Sequence, residues 1–150
     1  MNMSVDSPSR LVIAKVLISK GRIDLPATGT SMYPLIREGD ICRFVSLDYE
    51  NLKKGDILLY QSDHGQLIAH RLIYKSGDSY LCKGDSNLGN DDWVYSDQLI
   101  GKMLYVSKNH KIFYLNGLLG KTWTWSILTF PSVSKLWRRF LAFQESQIRS

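Results

Sequence analysis

Cysteine is scarce in this chain of 150 residues: there are two, Cys42 and Cys82, each alone in an apolar run. There is no CxxC pair and no Cys/His cluster, so the usual zinc spacings are missing and the two thiols read as buried core residues. No metal and no cofactor is expected. Long hydrophobic runs are also missing. The best N-terminal stretch, residues 11–18, contains Lys15 and falls short of the roughly 20 apolar residues that span a bilayer. No small-residue cleavage site follows it, so a removable signal sequence is not expected. Internal repeats and low-complexity linkers are absent. Acids are rare towards the C-terminus: from Lys108 onward there are seven Lys/Arg and one acid, Glu145. The whole chain has a formal net charge of +5, which suits an acidic lipid or nucleic-acid surface but establishes neither. Hydrophobic residues make up 44% and charged residues 22%, the balance of a single globular domain with its own core.

The texture of the chain changes twice. Ser7 and Pro8 followed by Leu11, Val12, Ala14, Lys15 and Leu17 predict a short helix, with Ser7 as N-cap, Pro8 at its first position and Gly21 as its stop. Residues 1–23 form this helical segment. Residues 24–108 carry short apolar runs separated by turn residues. The predicted strands are 41–46, 56–61, 67–75, 79–83 and 98–106, punctuated by Gly39-Asp40, Lys54-Gly55, His64-Gly65, Ser76-Gly77-Asp78 and Gly84-Asp85. That spacing predicts a mainly β, antiparallel domain. Residues 109–150 form a basic tail holding three of the four tryptophans, Trp123, Trp125 and Trp137. Beyond Pro131, the residues Val133, Leu136, Trp137, Phe140 and Leu141 fall at helical spacing, with Lys135, Arg138 and Arg139 off that stripe. This predicts a basic amphipathic helix. Its apolar stripe is open to three covers: the β domain, an anionic membrane surface or a partner protein.

Three segments carry candidate chemistry. In Gly29-Thr30-Ser31-Met32-Tyr33-Pro34, glycine lets the chain turn sharply so that a hydroxyl projects beside bare backbone amides, the donors an oxyanion needs. In Leu67-Ile68-Ala69-His70-Arg71-Leu72-Ile73, two adjacent polar residues interrupt an apolar strand. Neighbours on a strand face opposite ways, so His70 should face a pocket and Arg71 solvent or a carboxylate, or the reverse. Lys83-Gly84-Asp85-Ser86-Asn87-Leu88-Gly89-Asn90-Asp91-Asp92 is a dense loop of Asp, Asn and Gly. It is too short for an EF-hand and lacks the closing glutamate, which argues against calcium. Ser, His and Asp in this order can build a nucleophile, its base and a group that orients the base.

The boxes GTSMYP with EGD, then KKGDILLY, IAHRLI and KGDSNLGND, resemble the successive motifs of type I signal peptidases. The resemblance covers about residues 26–107. Histidine before arginine and the KGDxN loop are similar to the endoplasmic-reticulum and archaeal branch rather than to the bacterial Ser/Lys enzymes. The resemblance implies a serine endopeptidase with Ser31 as nucleophile and His70 as base. Asp85 and Asp91 match the loop's two acids. Asp91 is favoured as the orienting acid, with Asp85 holding the loop by pairing with Arg71 and Asp92 a third candidate. It also implies the mostly antiparallel β fold shared with LexA-type repressors, with short N-terminal and C-terminal helices. The expected partner is a signal or leader peptide, or a precursor protein, bound in extended form beside Gly29 and Met32, with small residues at the first and third positions before the cleaved bond.

The chain departs from that family in three places. An anchor helix before the serine is replaced by the short 11–18 run. Position 29 is Gly where many relatives carry a serine that serves the oxyanion hole, leaving the Ser31 amide, with Thr28 or Thr30, to fill that role. The C-terminal membrane segment of some relatives is replaced by the basic tail. These departures lead to the expectation of a cytoplasmic enzyme, peripheral at most on the inner face of an anionic membrane, acting on a leader peptide or a membrane-surface substrate. No nucleic-acid partner is expected. Two other readings use the same residues. One is a non-catalytic peptide-binding module. The other is a self-cleaving repressor-type protease, which would need a lysine base and a helix-turn-helix that the residues before Ser31 do not supply.

Overall fold

Short apolar runs alternate with tight turns through the middle of the chain, and each run becomes a strand that folds back on its neighbour. The computed structural model describes residues 2–3 and 7–148. The order is β1 (Asn2–Met3), α1 (Ser7–Lys20), β2 (Arg22–Pro26), β3 (Ile41–Val45), β4 (Ile57–Gln61), β5 (Leu67–Ser76), β6 (Ser79–Lys83), β7 (Val94–Tyr95), β8 (Leu99–Lys108), β9 (Lys111–Tyr114), α2 (Leu118–Thr129) and α3 (Pro131–Ile148). The nine strands make one antiparallel sheet whose main path runs β2-β3-β8-β4-β5-β6-β7. β1 pairs with β5, and β9 pairs with β8. The mainly-β, antiparallel architecture with flanking helices agrees with the sequence reading.

β8 explains the curl of the sheet. One edge of it pairs with β3, from Lys102 to Ser107. Its other edge pairs first with β4, from Leu99 to Lys102, and then with β9, from Tyr105 to Lys108. Register shifts between Arg43 and Phe44, between Leu59 and Tyr60, and between Leu72 and Tyr74 add local twist.

The sheet is buried on both faces at β4. Ile57 and Leu59 join one core cluster with Ile13 and Leu17 of α1, Phe44 of β3, and Met32 and Ile36. Leu58 and Tyr60 join a second with Leu72, Tyr80, Cys82 and Val94. Ile13 and Leu17 hold α1 against the sheet, and burying each contributes about 1.5–3 kcal/mol. α1 closes with the Gly21 amide donating to the Leu17 carbonyl at 2.8 Å. Ser7 lies within the helix, and its predicted capping side chain falls outside the described residues. Both cysteines are buried free thiols, and burial pushes Cys42 up to about 12.

Five of the elements named above lie outside the sequence prediction: β1, β2, β7, β9 and α2. β9 extends the sheet beyond Lys108 into the basic tail. α3 is the predicted amphipathic helix, but its stripe divides. Trp137 packs edge-on against Tyr33 at 5.5 Å, and Leu141 is buried. Phe140 stacks on Tyr33 at 6.0 Å, while Leu136 and Phe143, on the next face of the helix, are exposed, Leu136 at 64%. No described helix is long and apolar enough to cross a membrane.

Candidate active site

Ser31 sits in a loop whose base is closed by two backbone bonds, Ala27 N to Asp40 O at 2.7 Å and Gly39 N to Ala27 O at 3.0 Å. Gly29 has φ of +76°, left-handed backbone that glycine adopts without a side-chain penalty. Met32 and Ile36 plug the loop into the core, Met32 at 1% exposure. The side chain of Met32, expected beside substrate, therefore turns inward as an anchor, while Gly29 lines the cleft beside Ser31.

β5 supplies the base. In the antiparallel register Leu58 pairs with His70 and Ile57 with Arg71. His70 shares a face with Ile68 and Leu72, and Arg71 points the other way. His70 is 3% exposed, with Nε2 2.8 Å from Ser31 Oγ and Nδ1 2.7 Å from Asp91 Oδ2. The Tyr60 hydroxyl donates to the same Asp91 oxygen at 2.7 Å. With Asp91 ionised, Nδ1 carries the proton and Nε2 is left to accept one from the serine. Burial lowers the His70 pKa below its ordinary 6.5, outweighing the bond to Asp91 that favours the charged ring. Burial and Asp91 both push the Tyr60 hydroxyl far up, so it stays a donor.

The Asp-rich loop holds the serine in place. Ser86 N donates to Ser31 O at 2.9 Å, and Ser86 Oγ donates to Thr30 O at 2.8 Å. Asp91 N donates to Cys82 O at 2.9 Å, returning the loop to β6 with Asp91 beside His70. Gly84 is required by this contact. A Cβ there would lie 2.7 Å from Ser31 O and 2.8 Å from Asn87 Nδ2. Gly84→Ala should push the serine loop away from His70. A misplacement of about 1 Å costs on the order of 10²-fold in rate, so turnover should fall that far while circular dichroism keeps the β signature. Parental turnover in this variant would show that the close approach is dispensable.

Asp85 does not reach His70. It accepts from Arg71 Nε and Nη2, both at 2.7 Å, and from Trp123 Nε1 at 2.8 Å. Arg71 Nη1 donates to Gly55 O at 2.9 Å and to Thr124 Oγ1 at 2.7 Å. The pairing proposed from the sequence is present, and α2 completes it. Asp92 is exposed.

The cleft holds about 420 Å³ and is lined by Gly29, Thr30, Ser31, Ile68, His70, Asn87, Asp91 and Arg138. The sequence reading missed Tyr60, Trp123, Thr124 and the cleft position of Arg138. Tyr60 closes the KKGDILLY box, but its role depends on strand register. The other three lie in the tail, where nothing in the sequence ties them to the loop.

Fold and site together define a mainly-β domain with a hydrogen-bonded serine–histidine–aspartate relay, an arrangement that serine hydrolases use. The chain matches no protein-family model and no curated protein.

Proposed function

We propose that this chain is a serine endopeptidase of the type I signal peptidase kind, cleaving signal or leader peptides bound in extended form. The observation that carries the reading is the continuous relay from Ser31 Oγ through His70 to Asp91, with gaps of 2.8 and 2.7 Å. Ser31 Oγ attacks the scissile carbonyl as its proton moves to His70 Nε2. Asp91 stabilises the imidazolium that forms, and that proton then passes to the leaving amine. Water attacks the acyl-serine by the same route and regenerates the enzyme. Strand addition is supported by β1, an extended segment of the chain itself. It pairs with Leu67 and Ile68 on the edge of β5 opposite β4, and Ile68 also lines the cleft. A peptide substrate takes this edge by displacing those two residue pairs.

A fluorophosphonate probe tests the reaction. It should label the parent on Ser31, and peptide mapping should find no other modified serine. No labelling at neutral pH, with the fold intact, would end the hydrolase reading.

The same probe reports the base. His70 must be neutral to accept a proton, so labelling should rise with pH through an inflection below 6.5. Stability follows the same sign. The unfolded chain binds the proton more readily, so the contribution from burying neutral His70 is complete above 6.5 and is lost as pH falls towards the depressed folded value. A labelling inflection above 6.5 would assign the base elsewhere.

A further inference from the structure

Among the described residues, Arg138 is the single cationic side chain lining the cleft that holds Ser31, His70 and Asp91. It arrives on α3, far along the chain from the motifs, and its place is fixed by its neighbours. Ser134, one turn earlier, is buried, as is Leu141. Trp137, the residue before it, packs on Tyr33 at 5.5 Å and near Trp123 at 6.5 Å. Trp123 in turn is hydrogen-bonded to Asp85 in the loop that supports Ser31. The helix that carries Arg138 is thus docked on the serine loop from two sides.

The guanidinium itself is uncommitted. Among the described residues no carboxylate lies within ion-pairing distance of it. The one carboxylate among the described residues lining the cleft, Asp91, accepts from both His70 and Tyr60. The remaining described walls, Gly29, Thr30, Ile68 and Asn87, are neutral. An exposed, unpaired guanidinium beside a nucleophile recognises a planar anion, because its fork of donors matches a carboxylate in two bonds.

Resting on the peptidase reading, we infer that Arg138 is a specificity-determining residue and that the preferred substrate carries a carboxylate close to the bond to be cleaved. That carboxylate comes from an Asp or Glu side chain or from a nearby peptide C-terminus.

The test measures binding, so it does not depend on catalysis. Full-length Ser31→Ala protein is titrated into fluorescein-labelled, C-terminally amidated hexapeptide pools with either Glu or Gln fixed at the third position. A third pool has Gln there and a free C-terminal carboxylate. Fluorescence anisotropy should show the Glu pool, the free-carboxylate pool or both binding about tenfold tighter than the amidated Gln pool, the scale of a hydrogen bond to a charged group. Which pool gains identifies the source of the carboxylate. The advantage should shrink with added salt. Adding Arg138→Gln should bring the ratio to about one, and Arg138→Glu should favour a matching Lys pool. Equal binding of all pools, no binding of any pool, or a ratio unchanged by Arg138→Gln would overturn the inference. A uniform loss of affinity would instead make Arg138 a general contact. Failed fluorophosphonate labelling of the parent would overturn the reaction and leave this binding result standing.

Discussion

Ser31→Ala should lower peptide turnover by at least about 10³-fold and leave the melting temperature nearly unchanged. Both expectations follow from where the hydroxyl sits. Its oxygen lies 2.8 Å from His70 Nε2, the nitrogen left to accept its proton. The loop is held by its backbone and by its neighbours. Ser31 O accepts from Ser86 N, Thr30 O accepts from Ser86 Oγ, and Met32 and Ile36 are in the core. Alanine removes none of these. Without its nucleophile the relay has nothing to activate, so His70→Ala and the double variant should fall to about the same floor rather than add. Turnover on any peptide the parent cleaves, with calorimetry on the same samples, checks this. A purified Ser31→Ala protein that keeps the parental rate would end the serine mechanism.

The sequence made much of this legible because the chemistry is local in the chain. Short apolar runs bounded by turn residues, many of them glycine, marked β3, β4, β5, β6 and β8, whose bounds lie within a residue or two of the prediction. The adjacency of His70 and Arg71 on a strand required them to face apart, and each found a carboxylate: Asp91 for the one, Asp85 for the other. β2 was less readable. Asp24 and Pro26 interrupt its apolar pattern, and its place at the start of the main sheet path depends on pairing with β3. α2 looked like an apolar stretch before a proline. Its helix is set by packing over the Lys54-Gly55 turn, where a Cβ on Gly55 would meet Thr124 Cγ2 at 2.5 Å. The stripe on α3 was visible, but the half that docks was not. That choice rests on Tyr33 and Trp123, which lie far from α3 in sequence or on another helix. Arg138 was read as a residue off the stripe for the same reason. No periodicity rule reports that a tail helix ends beside a distant serine.

Asp85→Ala should destabilise the protein by about 3–5 kcal/mol, through a charge left buried without its partner. The Arg71 and Asp85 side chains are 1% and 0% exposed. Arg71 bonds to both carboxylate oxygens and to Gly55 O and Thr124 Oγ1, so one guanidinium ties β5, the Lys54-Gly55 turn, the serine-supporting loop and α2 together. Alanine leaves that cation out of water with its two strongest bonds gone, and it strips the acceptor from Trp123 Nε1. At about 2–4 °C per kcal/mol for a domain near this size, the melting temperature should drop by on the order of 10 °C. Asp85→Asn should be milder, because an amide oxygen can still accept from Arg71 or Trp123. A paired Arg71→Met, Asp85→Leu variant should recover much of the loss, since apolar side chains of similar volume avoid desolvating either charge. Asp91→Asn should give the opposite pattern. Its carboxylate meets His70 and Tyr60 at the cleft, so the amide disturbs the imidazole tautomer and turnover falls by roughly 10³–10⁴-fold with little change in melting temperature. Calorimetry and turnover on the four variants separate the two acids. An Asp85→Ala protein that melts like the parent but has lost turnover would move the orienting role from Asp91 to Asp85, against a geometry in which Asp85 faces Arg71 and Trp123.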